Sequence, residues 1–159
     1  MTLADRVAFF DSLMRGKVSD EFRSELINRG FFTAPASTKY HGSYEGGLFD
    51  HSYAVAKHLV ELSEKNNIVW KDERSPYIVG MFHDLCKMDN YVAEMRGFTY
   101  NDTPLLRGHG DKSVMMLSEF MRLTEEEILC IRYHMGAFTE KEEWRDYTRA
   151  VNKYATVLW

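Results

Sequence analysis

The chain has 159 residues, 45% hydrophobic and 28% charged, which excludes a disordered polymer and suits one domain with one sizeable core. A formal net charge of -4 argues against a broad nucleic-acid-binding surface but leaves room for a local phosphate pocket. No apolar run is long enough to span a bilayer, and Asp5 and Arg6 precede any stretch that could serve as a signal peptide.

The predicted elements are nearly all helical, as three prolines among 159 residues allow. "TLAD" at residues 2–5 is a capping-box pattern, followed at helical spacing by Leu3, Val7, Phe10 and Met14. Ser19 caps a second helix, with Phe22 and Leu26 inside and Gly30 as its stop. Residues 31–46 have no clean period and read as a loop. "LFDHSYAVAKHLVEL" then gives a third helix to about Asn66, with Leu48, Val55, Leu59 and Leu62 on its apolar stripe.

"SPYIVGMFHDLCK" places Ser75 as cap and Pro76 at the first helical position of a buried helix that carries His83 and Asp84. A short hairpin is expected near 97–104, around "GFTYNDTP". A fifth helix starts near His109. In "LTEEEILCIRYHMG", Thr124 and Glu127 make a second capping box, acids crowd the positive end, and Gly136 stops the helix. Trp144, Tyr147, Val151, Tyr154 and Leu158 mark one face of a last helix. The sum is an all-α bundle of six to seven helices, read as one domain over residues 1–159.

Chemistry concentrates in histidine. Of six histidines, His51, His83, His109 and His134 lie on or beside buried faces of four separate helical segments. Each alone reads as a structural histidine. Together they read as ligands, because imidazole is the commonest protein ligand for transition metals. Asp84 follows His83 about 100° further round the helix, so the two approach a cluster from different sides. A carboxylate can bridge two ions, which imidazole cannot. His58, two turns after His51, is about 10 Å further along the axis and reads as structural or exposed. Cys86 and Cys130 form no zinc-ribbon or redox pattern and are expected as free thiols outside the metal site.

"GGLFDHS", "MFHDLCK", "GHGDKSV" and "IRYHMG" together resemble the HD-domain metal-dependent phosphohydrolase superfamily, from residue 41 to the end. "HGSYEGGLFDHS" is also similar to a segment of the HD domain of certain bacterial exoribonucleases. The resemblance implies metal ligands His51, His83, Asp84, His109 and His134, in the form with extra histidines that commonly binds two ions. It also implies that Lys87 matches the lysine that often follows the His–Asp pair, with Cys86 where glycine is common. An aspartate on the last helix usually closes such a site. Its place falls beyond Trp159, and Asp146, roughly two turns too early, is expected to be an exposed helix residue. Weakened, substoichiometric metal binding would follow.

One or two divalent ions (Fe, Mn, Co, Ni, Zn or Mg) suit a nitrogen-and-oxygen donor set. The expected reaction is hydrolysis of a phosphate ester of a nucleotide or other small molecule through a metal-bound hydroxide, with Asp84 and Lys87 catalytic. Lys87 would meet a substrate phosphate, or else answer a helix dipole. His41 would contact substrate at the mouth of the site. Arg107 would meet a phosphate or stand exposed, and Tyr44 would pack. A 3'-end nuclease working with a partner, and a regulatory domain that binds nucleotide or metal, are the competing readings. The expected setting is cytoplasmic, with no membrane and no extended nucleic acid as partner.

Overall fold

Three of the seven helix starts, those at Leu3, Asp20 and Glu125, are set by side-chain capping that the sequence carries. The computed structural model describes residues 1–159. Its helices are α1 (Leu3–Met14), α2 (Asp20–Asn28), α3 (Gly47–Lys65), α4 (Ser75–Phe82), α5 (Gly110–Ser118), α6 (Glu125–Arg132) and α7 (Trp144–Lys153). The capping boxes Thr2–Asp5 and Thr124–Glu127 are both formed, and the Ser19 hydroxyl accepts from the Phe22 N–H. These bonds satisfy amides that a helix start leaves free. Pro76 lies in the first turn of α4, although Arg74 rather than Ser75 is the cap residue. The fold is all-α, and no helix is long and apolar enough to cross a membrane.

The one hairpin pairs β1 (Tyr91–Glu94) with β2 (Gly97–Tyr100), Tyr91 opposite Tyr100. It lies several residues before the expected 97–104. The Met95–Arg96 turn joins a mixed strand, Tyr-Val-Ala-Glu, to Gly-Phe-Thr-Tyr, and only the second carries a clear strand signal.

Six phenylalanines, Phe10, Phe22, Phe31, Phe32, Phe49 and Phe82, are buried in one aromatic core. Phe10 meets Phe32 edge to face, with ring centroids 5.4 Å apart. Each such burial contributes about 1.5–3 kcal/mol. Phe31 and Phe32 come from the loop, so that segment is fastened to the core despite its lack of period. Phe82 carries the core up to His83.

Three further corrections bear on the site. The buried face of α3 is Leu48, Phe49, Ser52, Ala56, Leu59 and Ser63, while Val55 and Leu62 are only half-buried. Small residues face inward because α4 crosses very close. A Cβ on Gly80 would stand 2.5 Å from the Ala56 Cα. Second, α4 stops at Phe82. His83 caps it, and Asp84 (φ -104°, ψ 18°) starts a 3-10 turn, Leu85–Asp89. The His–Asp pair therefore sits on a bend, not on a continuous helix. Third, the last helix breaks at Tyr154 (φ -134°, ψ 101°) into a 3-10 turn, Ala155–Leu158. Thr156 and Val157 turn inward there, and Leu158 is exposed.

Polar ties lock these pieces. Glu127, fully buried, accepts from the Thr124 N–H (2.9 Å), the Ser75 hydroxyl (3.0 Å) and the Arg74 guanidinium (3.2 Å), joining α6 to α4. Lys112 of α5, also fully buried, donates to Asn90 Oδ1 at 3.0 Å and to Asp89, joining α5 to the 3-10 turn after Asp84.

Candidate metal centre

Four segments meet at Asp84. His51 comes from the second turn of α3 and His83 from the end of α4. His109 is the residue before α5, and His134 follows α6. Two close approaches bring them together. Gly80 lets α4 lie against α3, which pairs His51 with His83. Gly110 lets α5 start against the end of α6, where a Cβ would stand 2.5 Å from the Arg132 carbonyl oxygen. That contact pairs His109 with His134.

The geometry divides around the carboxylate. Asp84 Oδ2 is 3.6 Å from His51 Nε2 and 3.4 Å from His83 Nε2, and those two nitrogens are 3.2 Å apart. Asp84 Oδ1 is 3.5 Å from His109 Nε2 and 3.4 Å from His134 Nε2, which are 3.1 Å apart. Two ligand atoms about 2.1 Å from one ion and about 100° apart are about 3.2 Å from each other. Each half therefore has the spacing of atoms that share a cation.

Hydrogen bonding explains why a cation fits. His83 Nδ1 is 2.9 Å from the Gly80 carbonyl oxygen and His134 Nδ1 is 2.7 Å from that of Ile131. A carbonyl only accepts, so each Nδ1 carries the proton and donates it. In the neutral rings Nε2 is then a bare lone pair. Both lone pairs face the oxygens of a carboxylate, which also only accepts. Asp84 Oδ1 is buried with no hydrogen-bond partner. A buried polar atom without a partner is costly, and a divalent ion in each half would satisfy all these acceptors together. These residues fit such ions.

Burial acts on the charge states. It pushes the Asp84 carboxyl up, but the hydrogen bonds and charge that His134 and His83 offer when protonated at Nε2, with the Lys87 ammonium, outweigh it and hold the group well below the usual carboxylate range. Burial, with His83 beside it, lowers His51 to about 4. It lowers His109 as well. Neutral imidazoles around an ionised carboxylate are the states that bind metal.

The remaining candidates are placed differently. Lys87 Nζ is 3.0 Å from Asp84 Oδ2. The exposed His41 ring centroid is 5.4 Å from that of His51, at the mouth of the cluster. Tyr44 donates its hydroxyl proton to Asp50 at 2.9 Å. Arg107 is exposed, with its guanidinium donating to the Asp102 carbonyl oxygen at 3.0 Å, and it makes no contact with the histidines. His58 is exposed on α3. Asp146 is exposed on α7, 3.5 Å from Arg149.

One residue enters the site that the sequence reading had set apart. Cys86 Sγ lies 3.1 Å from His109 Nδ1, and Asp84, Cys86 and His109 form a second group of clustered ligand atoms beside His51, His83 and Asp84. The side chains clustered at the centre are therefore His, Asp and Cys, with the Cys86 sulfur on the Nδ1 edge of His109 and Asp84 on its Nε2 edge. Burial pushes the Cys86 thiol up to about 11. In a continuous helix its place two residues after Asp84 points away from that carboxylate, and it stands where glycine is common, so the sequence alone did not join it to the cluster. Cys130 is free and buried elsewhere in the core.

Over 67 residues the chain is 34% identical to a dihydroneopterin 2',3'-cyclic phosphate phosphodiesterase of Methanocaldococcus jannaschii, covering 40% of this chain and 27% of that protein. The chain thus aligns with about a quarter of that relative's length. No solved structure matches it. The family model of the HD domain matches residues 48–158. With so much of its length matched, from the start of α3 to the last 3-10 turn, the chain belongs to the HD-domain superfamily of metal-binding phosphohydrolases.

Proposed function

We propose that this protein hydrolyses a phosphate ester of a nucleotide or other small molecule, with Asp84 shared between two divalent ions. His51 and His83 hold one ion and His109 and His134 the other. The observation that carries the reading is the buried, unpartnered Asp84 Oδ1 between lone-pair nitrogens. Such ions supply electrophilic stabilisation of phosphoryl oxygens and activate water at neutral pH.

The chain's own residues do the rest. The Gly80 and Ile131 carbonyls orient His83 and His134. Lys87 neutralises Asp84 and is positioned to meet a phosphate oxygen. His41, exposed beside His51, contacts substrate at the mouth. Arg6 of α1 donates to Asp50 Oδ1 at 2.9 Å and to the Glu45 carbonyl oxygen at 3.1 Å, so α1 braces the start of the helix that carries His51. On this reading residues 1–159 act as one HD-like domain.

The relative is named for its activity on a 2',3'-cyclic phosphodiester, which puts cyclic phosphodiesters beside monoesters in the substrate class. The test is a panel of nucleoside monophosphates and 2',3'-cyclic nucleotides, assayed with Mn, Co, Ni, Zn or Mg. Hydrolysis of at least one by the wild type, and by none in Asp84→Asn, is expected. Equal turnover by both would remove the site from the reaction.

A further inference from the structure

The three histidines with a partner at Nδ1 are not held alike. His83 and His134 donate to main-chain carbonyls, which cannot donate back. His109 Nδ1 instead meets the Cys86 side chain, at 3.1 Å. The Cys86 backbone N–H donates to Ser113 Oγ at 2.9 Å, and Cys86 is fully buried, so the sulfur is fixed in place. On the far edge of the same ring, His109 Nε2 faces the unpartnered Asp84 Oδ1.

We propose that Cys86 is a positioning residue for the His109–His134 half of the metal centre, accepting the His109 Nδ1 proton and thereby turning the Nε2 lone pair onto the ion. This rests on the two-ion reading above. A thiol differs from a carbonyl in one respect: it can also donate. With Sγ–H donating to Nδ1, the proton of the neutral ring sits on Nε2 and that nitrogen cannot bind an ion. With Nδ1–H donating to Sγ, it can. Ion binding selects the second arrangement. The other pair has no such contact, so Cys86 acts on one half only.

The experiment is titration of the metal-free protein with Co2+, followed by absorption and calorimetry, on wild type, Cys86→Ala and Cys86→Ser. Two ions are expected in the wild type. Cys86→Ala should weaken one of them by about tenfold and leave the other in place, in line with losses of outer hydrogen bonds to ligating histidines. Cys86→Ser, which keeps an acceptor there, should recover most of that loss. Nitrogen NMR of the wild type with Zn2+ bound should show His109 protonated at Nδ1. Equal weakening of both ions, or of neither, would overturn the proposal and leave the two-ion site standing. A sulfur-to-cobalt charge-transfer band lost in Cys86→Ala would make Cys86 a ligand and overturn it too. No ion in the wild type would overturn the site reading itself.

Discussion

Asp84 and Glu127 are both buried carboxylates, 4% and 0% exposed, and they are partnered in opposite ways. Glu127 is met entirely by donors: an amide, a hydroxyl and a guanidinium. Asp84 has Lys87 on one oxygen, lone-pair nitrogens beside both, and nothing within bonding reach of Oδ1. A protein that can satisfy one buried carboxylate so fully has the means to satisfy another. The contrast separates a carboxylate that holds the fold from one kept available for something outside it.

The largest expected effect comes from removing the available one. Asp84→Asn should lower turnover by at least about 10²–10³-fold, the scale seen when a key charge-stabilising group is lost. Both ions should go with it. The metal-free protein should melt less far below wild type than Glu127→Ala does, because Asp84 has one ion pair and an unpartnered oxygen where Glu127 has donors throughout. A fall as large as that of Glu127→Ala would make Asp84 structural, like Glu127, and break the comparison.

Glu127→Ala should do the reverse. Breaking a buried, paired charge costs about 3 kcal/mol, which for a chain of this size lowers the melting point by roughly 6–12 °C. Below that temperature metal stoichiometry should be unchanged. Loss of metal at low temperature would show that the two carboxylates are coupled.

Gly110→Ala tests whether the two halves around Asp84 are separable. The added Cβ meets the Arg132 carbonyl oxygen at 2.5 Å, which forces α5 off the end of α6 and parts His109 from His134. The ion in that half should weaken at least about tenfold, the ion between His51 and His83 much less. Equal loss of both, measured by calorimetry, would mean the centre forms only as a unit.

The smallest effect is on pH. His51 is lowered to about 4 in the folded protein against 6.5 unfolded, so below 6.5 the unfolded chain binds more protons there. Its contribution to metal-free stability is complete above about 6.5 and is lost as pH falls towards 4. Melting points between pH 7 and pH 4 should therefore fall less in His51→Gln than in wild type. Parallel curves would contradict the burial of that ring.

Much of this was legible in the chain. Both capping boxes, the helix order and the four inward histidines follow from local chemistry, where spacing and residue type decide. What escaped depended on packing. The bend at His83–Asp84 ends a helix whose apolar run continues through Leu85. The turned face of α3 follows from Gly80 lying on Ala56, a contact no periodicity carries. Cys86 meets His109 from the 3-10 turn that follows that bend. The hairpin moved because its first strand is too short and mixed to stand out.

The most direct test is a crystal grown with Zn2+ and examined by anomalous diffraction at the zinc edge. Two peaks are expected, one among Asp84 Oδ2, His51 and His83, the other among Asp84 Oδ1, His109 and His134. Peaks elsewhere, or none at Asp84, would contradict the claim that this carboxylate is held open for metal.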